Sequence, residues 1–275
     1  MSVQYNKAHA IVFGKLDTKA ERAHNGATLS HSYVNGKHTW DDWHLIPSSR
    51  PVVSPPSPAV KTLTIPGKNG VLDISTLLTG EMTYQNRTGS WDFIVDHNTK
   101  SWESVYHEIL GYLHGQTYVC VLEDDPAFYY EGRFSIGAPK NENGYSVVPI
   151  NYDLYPFKRT IQLSSEPWVW DPFNFDIGVT NDLNGGPVSR VTVNRGTEKN
   201  VTVNYPYSET VMPYIYSNIE SGNATVELNG SRNSLRNGIY QYPGIKLKSG
   251  DNTVTFTNHT SGTITVGIEY RGGEL

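Results

Sequence analysis

The apolar residues of this chain come in short runs separated by glycine, asparagine and proline, and this spacing limits the possible folds most. Short runs of this kind are typical of β-strands joined by turns, because a long helix needs apolar residues at a sustained 3.6-residue period. Tyrosine and threonine are abundant, and charged residues make up only 18% of the chain, which suits sheets with polar faces. We therefore predict a mostly β protein.

One segment departs from this pattern and predicts a helix between Ser101 and His114. Its apolar residues recur at offsets of 0, 3, 4, 7, 8 and 11, which places them on one helical face. They are Trp102, Val105, Tyr106, Ile109, Leu110 and Leu113. Ser101 is suited to cap the first turn, and Gly115 is suited to end the helix.

A change of composition near residue 160 predicts two domains, at residues 1–160 and 161–275. The second part has little helix signal, and its short runs alternate with turns such as Asn229-Gly230, as in a β-sandwich. Strands are expected there at residues 188–194, 200–205, 224–228, 244–247, 253–257 and 262–270. In the first domain, Pro149 interrupts a predicted strand over residues 146–154, which favours an edge position or a bulge.

Four prolines fall within residues 51–58, where they exclude both a helix and a central strand. The segment is therefore predicted to be extended, as an arm that packs on another subunit or as an ordinary surface loop. The residues assigned to this possible arm are Trp40, Trp43, Arg50, Pro51, Pro55, Pro56 and Pro58.

Charge and composition exclude several classes of function. The net charge is −5 and no cluster of Lys and Arg is present, which argues against nucleic-acid binding. No run approaches the roughly 20 apolar residues that cross a bilayer, and residues 1–15 lack the apolar core of a secretory signal. Cys120 is the sole cysteine, so an intrachain disulfide is impossible. We expect synthesis in a cytoplasm, where the protein either stays soluble or assembles.

The search for catalytic or metal-binding patterns gives weak candidates. His24, His31 and His38 are evenly spaced but lie in sequence with no helix to align them, and His107 and His114 are too far apart for the i, i+4 metal motif. The run Glu123-Asp124-Asp125 is read as an acidic turn closed by proline rather than as a glycosidase pair. We predict no catalytic residues, no metal site and no cofactor.

Aromatic residues of the second domain leave a sugar-binding face open as an alternative to core packing. Two sets are candidates: Trp168, Trp170, Phe173 and Phe175, and Tyr205, Tyr207, Tyr214 and Tyr216.

Residues 64–75 (TIPGKNGVLDIS) and 84–95 (YQNRTGSWDFIV) resemble the central signature of the distal tail proteins of long-tailed bacteriophages, the siphophages. Further segments continue the resemblance in order, at residues 102–115, 122–126, 129–133, 226–230, 245–252 and 268–271. The resemblance covers about residues 11–272, and the first-domain motif is the more specific part.

This resemblance implies a β-sandwich or split barrel with one α-helix, followed by a galectin-like β-sandwich. It also implies a non-enzymatic hub in the virion tail tip or baseplate, in which six copies form a ring. The implied partners are other copies of the chain, the tail-tube protein, and the tail-tip, tail-associated or receptor-binding protein. An inserted carbohydrate-binding module is absent from the sequence, yet binding of host cell-wall saccharide by the second domain remains the alternative function.

Overall fold

The computed structural model describes residues 8–16, 34–96, 101–142, 145–164, 190–220 and 222–275. Within these ranges the chain is mostly β, with antiparallel sheets and the predicted α-helix, so the predicted fold class is confirmed.

The first part of the described chain forms one extended sheet, a small hairpin and the helix. Their bounds are β1 (Ile11–Leu16), β2 (Val34–His38), β3 (Leu45–Pro47), β4 (Thr62–Leu63), β5 (Leu72–Asp73), β6 (Arg87–Val95), α1 (Trp102–Leu113), β7 (Thr117–Leu122), β8 (Phe128–Ile136), β9 (Lys140–Glu142), β10 (Tyr145–Leu154) and β11 (Lys158–Thr160). The sheet runs in the order β2-β1-β7-β8-β10-β6-β3, with β9 paired to β10 and β11 paired to β8. Strands β4 and β5 pair only with each other.

Apolar side chains cover both faces of this sheet. Along β1, Ile11 and Phe13 join the main core, whereas Val12 joins a second cluster with Val121 and Ile161. Successive side chains of a strand point to opposite faces, so burial on both faces explains why β1 is a continuous apolar run at its start.

Helix α1 covers one face of the sheet, as its apolar stripe predicts. Val105, Ile109 and Leu113 are fully buried in the main core. The hydroxyl of Ser101 accepts a hydrogen bond from the Ser104 amide at 3.4 Å, and Gly115 follows the helix with a φ of 73°. This left-handed φ favours glycine, so both predicted helix ends are confirmed.

The second part of the described chain forms a β-sandwich. Its strands are β12 (Val191–Val193), β13 (Glu198–Tyr205), β14 (Tyr214–Ser217), β15 (Ala224–Leu228), β16 (Ser231–Ser234), β17 (Gly238–Gln241), β18 (Gly250–Asn258) and β19 (Ile264–Glu269). A last strand, β20 (Gly273–Glu274), lies outside the two sheets of the sandwich. One sheet has the order β12-β19-β14-β17 and the other β13-β18-β15-β16. Their facing side chains, such as Ile215 and Val266 from one sheet and Val226 and Phe256 from the other, form one core.

Pro149 predicted an edge or a bulge, and the edge is wrong because β10 pairs with both β6 and β8. The registers fit the bulge, since residues 137–139 lie opposite residues 148–149 between the pairs Ile136–Ile150 and Lys140–Val147. Pro149 lies where one side of β10 changes partner, between the pairing with β9 and the pairing with β8. Its carbonyl accepts a hydrogen bond from the Gly137 amide on that side. The carbonyl and the amide position of a strand residue point the same way, so the missing donor of Pro149 faces this gap in the ladder.

Sequence patterns miss part of the second sandwich. The predicted strand at residues 244–247 is wrong, since Gly244 lies in a turn and the segment pairs only through an isolated bridge between Val211 and Leu247. Strands β14, β16 and β17 were not predicted. The turn between β15 and β16 is confirmed, because Asn229 and Gly230 have φ values of 50° and 81°, as a tight hairpin turn requires.

The end of the chain returns to the first sheet. Strand β20 pairs with β11, and β11 pairs with β8 of the large sheet. Beside this pairing, Arg159 and the buried carboxylate of Glu209 form an ion pair at 3.2 Å. The boundary near residue 160 stays a prediction, and these contacts connect the residues on its two sides.

We expect Ile109→Ala to lower the free energy of unfolding by about 2–5 kcal/mol, because it leaves a cavity between α1 and the sheet. Chemical denaturation followed by fluorescence measures the change. Ile239→Ala is the control, since this side chain is 48% exposed, lies outside both the main core and the loop segments of the first sheet, and its loss should change stability by less than about 0.5 kcal/mol. Equal effects of the two substitutions would contradict the assigned core.

Candidate interaction surface

Residues 50–58, the proline segment, begin at an ion pair with the acidic turn. The Nε of Arg50 lies 3.0 Å from Oδ2 of Asp124, and the Nδ1 of His9 lies 2.9 Å from the same carboxylate. The side chain of Asp124 is only 7% exposed, so solvent screens this pair less than a surface pair. The start of the proline segment is thereby fixed to its own chain.

Side chains of the large sheet hold the next residues of this segment through their backbone. The indole N–H of Trp91 donates to the carbonyl of Val52 at 2.8 Å, and the amide of Ser54 contacts the hydroxyl of Tyr152 at 3.5 Å. Trp91 and Tyr152 also pack together, with ring centroids 4.3 Å apart. The segment therefore crosses the sheet over β6 and β10.

Arg87, the first residue of β6, joins this segment to a second loop. Its Nε donates to the carbonyl of Pro156 at 2.7 Å, and its Nη1 donates to the carbonyl of Ser54 at 3.1 Å. The guanidinium also lies over the ring of Tyr130, 5.5 Å from its centroid. Arg87 is 4% exposed, and its burial lowers the pKa of the guanidinium.

The structure divides the residues that were assigned to a possible inter-subunit arm. Trp43 lies inside the core of its own chain, where its indole N–H donates to Glu108 at 3.2 Å, so a neighbouring subunit cannot reach its ring. The remaining members are buried (Pro51), half-buried (Trp40 and Pro56) or exposed (Arg50, Pro55 and Pro58). Contact with another subunit stays a prediction for the exposed positions.

A projecting hairpin follows the proline segment, and we call residues 58–84 the hairpin arm. Its base is closed by the bridge between Pro58 and Tyr84 and by the hydrogen bond from the Ala59 amide to the Thr83 carbonyl at 2.8 Å. Strands β4 and β5 form its middle, where every residue from 60 to 73 is exposed.

The hairpin arm exposes an unusual number of large apolar side chains for its length. Leu77 and Leu78 are 75% and 90% exposed. The others are Val60, Leu63, Ile65, Val71 and Leu72. A contiguous exposed apolar patch commonly marks a contact with another molecule. The sequence analysis did not predict this exposure; the available signal was apolar residues in a segment too short to form a core.

The acidic turn after β7 is engaged in ion pairs. Asp124 contacts Arg50 and His9, and the carboxylate of Asp125 lies 2.8 Å from Nζ of Lys158. Glu123 lies 3.8 Å from Nε2 of the buried His38. These contacts favour the interpretation as a structural turn.

The other candidate site residues from the sequence analysis do not come together in one site within the described part of the chain. His24, His31 and the aromatic set at residues 168–175 lie outside the described residues. Among the described ranges, no cluster of His, Cys, Asp or Glu has the arrangement of a metal site. Cys120 is fully buried, which raises the pKa of its thiol. In the described part of the chain, no helix is long and apolar enough to span a membrane.

The second aromatic set is also split. Tyr205 and Tyr207 are buried in the core of the second sandwich, whereas Tyr214 is 44% exposed and the ring of Tyr216 lies under Arg190. The four tyrosines therefore do not form one exposed face.

An antiparallel sheet that carries a helix and a projecting hairpin, followed by an antiparallel β-sandwich, defines the mostly β fold class of this chain. No family model matches the sequence, and no curated protein matches it significantly. The chain is similar in structure to the SPP1 Dit (gp 19.1) protein, a paradigm of hub adsorption apparatus in Gram-positive infecting phages. The TM-score is 0.53 at 14% identity, over 86% of this chain and 96% of that chain.

A de novo designed double-stranded β-helix, solved by NMR, matches 30% of this chain and 95% of its own at 26% identity. Its TM-score of 0.23 is too low to bear on the fold. The likeness to the phage hub protein, at its level of identity, shows a shared fold.

Arg87→Lys is expected to lower the free energy of unfolding by about 1–3 kcal/mol, because lysine cannot donate to two carbonyls in the forked geometry of arginine. Limited proteolysis should also cut the proline segment faster. The matched control is Arg190→Lys, since Arg190 is exposed and stacks on one ring. Unchanged stability and cleavage for Arg87→Lys would contradict the role given to this residue.

Proposed function

We propose that this chain is the distal tail protein of a long-tailed phage, a structural hub that joins the tail tube to the tail-tip device. The observation that carries the proposal is the fold shared with the SPP1 hub protein over 86% of this chain and 96% of that one. The likeness spans both parts of the chain rather than one common β domain. Because a fold alone does not fix a function, a surface feature has to support the proposal as well.

The hairpin arm gives that support. Its apolar side chains cannot be buried by its own two short strands, and ordering an exposed hairpin costs conformational entropy. A contact between the arm of one copy and a different surface of the next copy would bury them. Head-to-tail contacts of this kind close into rings when the rotation between copies allows it. We propose a ring of six copies.

The remaining parts of the proposal follow from a ring geometry. One face of the ring docks the tail-tube protein, and the other docks the tail-tip, tail-associated or receptor-binding protein. The second sandwich, proposed to be galectin-like, projects outward. The location is the tail tip of the virion, after synthesis in the host cytoplasm. No catalytic step is proposed, because Asp124 and Asp125 are both engaged with cations.

Saccharide binding by the second sandwich alone is the less supported alternative. Of its four candidate tyrosines, Tyr205 and Tyr207 are core residues, which leaves Tyr214 as the exposed ring. Among these four candidates, one exposed ring gives a small platform for a sugar.

We expect the full chain to form particles of six times the monomer mass, with a central channel visible by negative-stain electron microscopy. Light scattering coupled to size-exclusion chromatography measures the mass. Replacing Leu77 and Leu78 together by serine should give folded monomers with the circular dichroism spectrum of the wild type, because both side chains are exposed in the isolated chain. Their unfolding temperature should fall to that of the unassembled wild-type chain, since assembly stabilises the folded state.

Ile239→Ser is the matched control, since this exposed side chain lies on the second sandwich, outside the hairpin arm. The Ile239→Ser variant should still form the ring. Assembly of the doubly substituted chain at wild-type strength would contradict the role of the arm. A wild-type chain that stays monomeric even with purified tail-tube protein would contradict the hub itself.

A further inference from the structure

A cleft of about 790 Å³ lies where the base of the hairpin arm meets the loop after β10 and the second sandwich. Glu81 of the arm forms an ion pair with Lys248 at 2.8 Å and accepts a hydrogen bond from the Thr210 hydroxyl at 2.7 Å. These two hydrogen bonds, the one from Lys248 first, lower the pKa of Glu81. The cleft volume is within the range of about 300–1,000 Å³ that is usual for small-molecule sites.

Three aromatic rings form one wall of the cleft. The ring of Tyr84 meets the ring of Phe157 edge-on, with centroids 5.8 Å apart, and Phe157 lies 6.4 Å from Tyr155. Tyr155 is 44% exposed, and the guanidinium of Arg159 lies 5.0 Å from the centroid of its ring. The contact with Arg159 orients Tyr155, so an aromatic surface is held open to solvent.

The other lining groups are polar but balanced in charge. Glu81 is paired with Lys248, and Glu209 is paired with Arg159. Lys246 adds a further cation, and its charge also helps to lower the pKa of Glu81. Ser249 and Asn86 add a hydroxyl and an amide to the lining. The cleft therefore offers hydrogen-bond donors and acceptors without a strong field of either sign.

We propose that this cleft binds a neutral oligosaccharide. A sugar ring has an apolar C–H face, which the rings of Tyr155 and Phe157 can cover, and hydroxyl groups, which the polar wall can hydrogen-bond. A phosphate-bearing ligand would need unpaired cations, and two of the cationic side chains at this junction are already in ion pairs. An extended peptide would hydrogen-bond to the backbone of an open strand edge, whereas this cleft is lined mainly by side chains.

The site goes beyond the proposed hub role, which does not require it. It also differs from a sugar face on the second sandwich, because its rings come from the arm base and from residues 155–157. Tyr155 and Tyr214 are equally exposed, so they provide a matched pair of variants for the two locations.

The test is saturation-transfer NMR on the full chain with a panel of short neutral oligosaccharides of glucose, galactose, rhamnose and N-acetylglucosamine, followed by titration calorimetry with any that bind. We expect at least one to bind. Tyr155→Ala should raise the dissociation constant of that oligosaccharide about tenfold. Tyr155→Phe should retain binding because the aromatic ring is kept. Tyr214→Ala should bind as the wild type does.

Each other outcome overturns the proposal. These outcomes are no binding across the panel, binding that survives Tyr155→Ala, and binding lost with Tyr214→Ala, which would place the sugar on the second sandwich. Binding only of a phosphorylated glycan or of a peptide, run as parallel arms, would assign the cleft to a different ligand. Particle mass measured on the same samples separates these results from a failure of the hub.

Discussion

The buried guanidinium of Arg87 is the contact on which the arrangement of the surface depends. It binds the carbonyl of Ser54 before the hairpin arm and the carbonyl of Pro156 in the loop that carries Tyr155 and Phe157. Arginine remains charged when buried, and here two carbonyls accept from its Nε and Nη1 while one aromatic ring lies against it. Its buried Nη2 has no hydrogen-bond partner among the described residues. A single side chain therefore fixes the arm base and one wall of the cleft relative to the same sheet.

The large sheet explains why the arm is left exposed. Its two faces are already covered, one by α1 and the main core and the other by the cluster around Val121 and Ile161. The proline segment crosses the sheet and leaves it at Pro58, beyond the area that β6 and β10 can bury. Apolar side chains past this point have no core of their own chain to join, which is the physical basis for the proposed contact between copies.

Local patterns predict the elements of this fold well and its long-range contacts poorly. The stripe from Trp102 to Leu113 predicts α1 because a helix is specified by residues three and four apart. Pro149 predicted an edge or a bulge for β10, and a proline rule alone cannot choose the bulge, because that choice depends on the partners β8 and β9. Arg87 was missed, because its partners lie 33 and 69 residues away. Burial of Tyr205 depends on the facing sheet in the same way.

The central claim is that the hairpin arm is exposed in the free chain because its partner is another copy. Hydrogen–deuterium exchange of residues 59–83, compared between the free chain and the assembled ring, tests it most directly. The account predicts fast exchange in the free chain, since this hairpin has few buried contacts, and strong protection after assembly. Equal exchange in the two states, with protection confined to other segments, would contradict it.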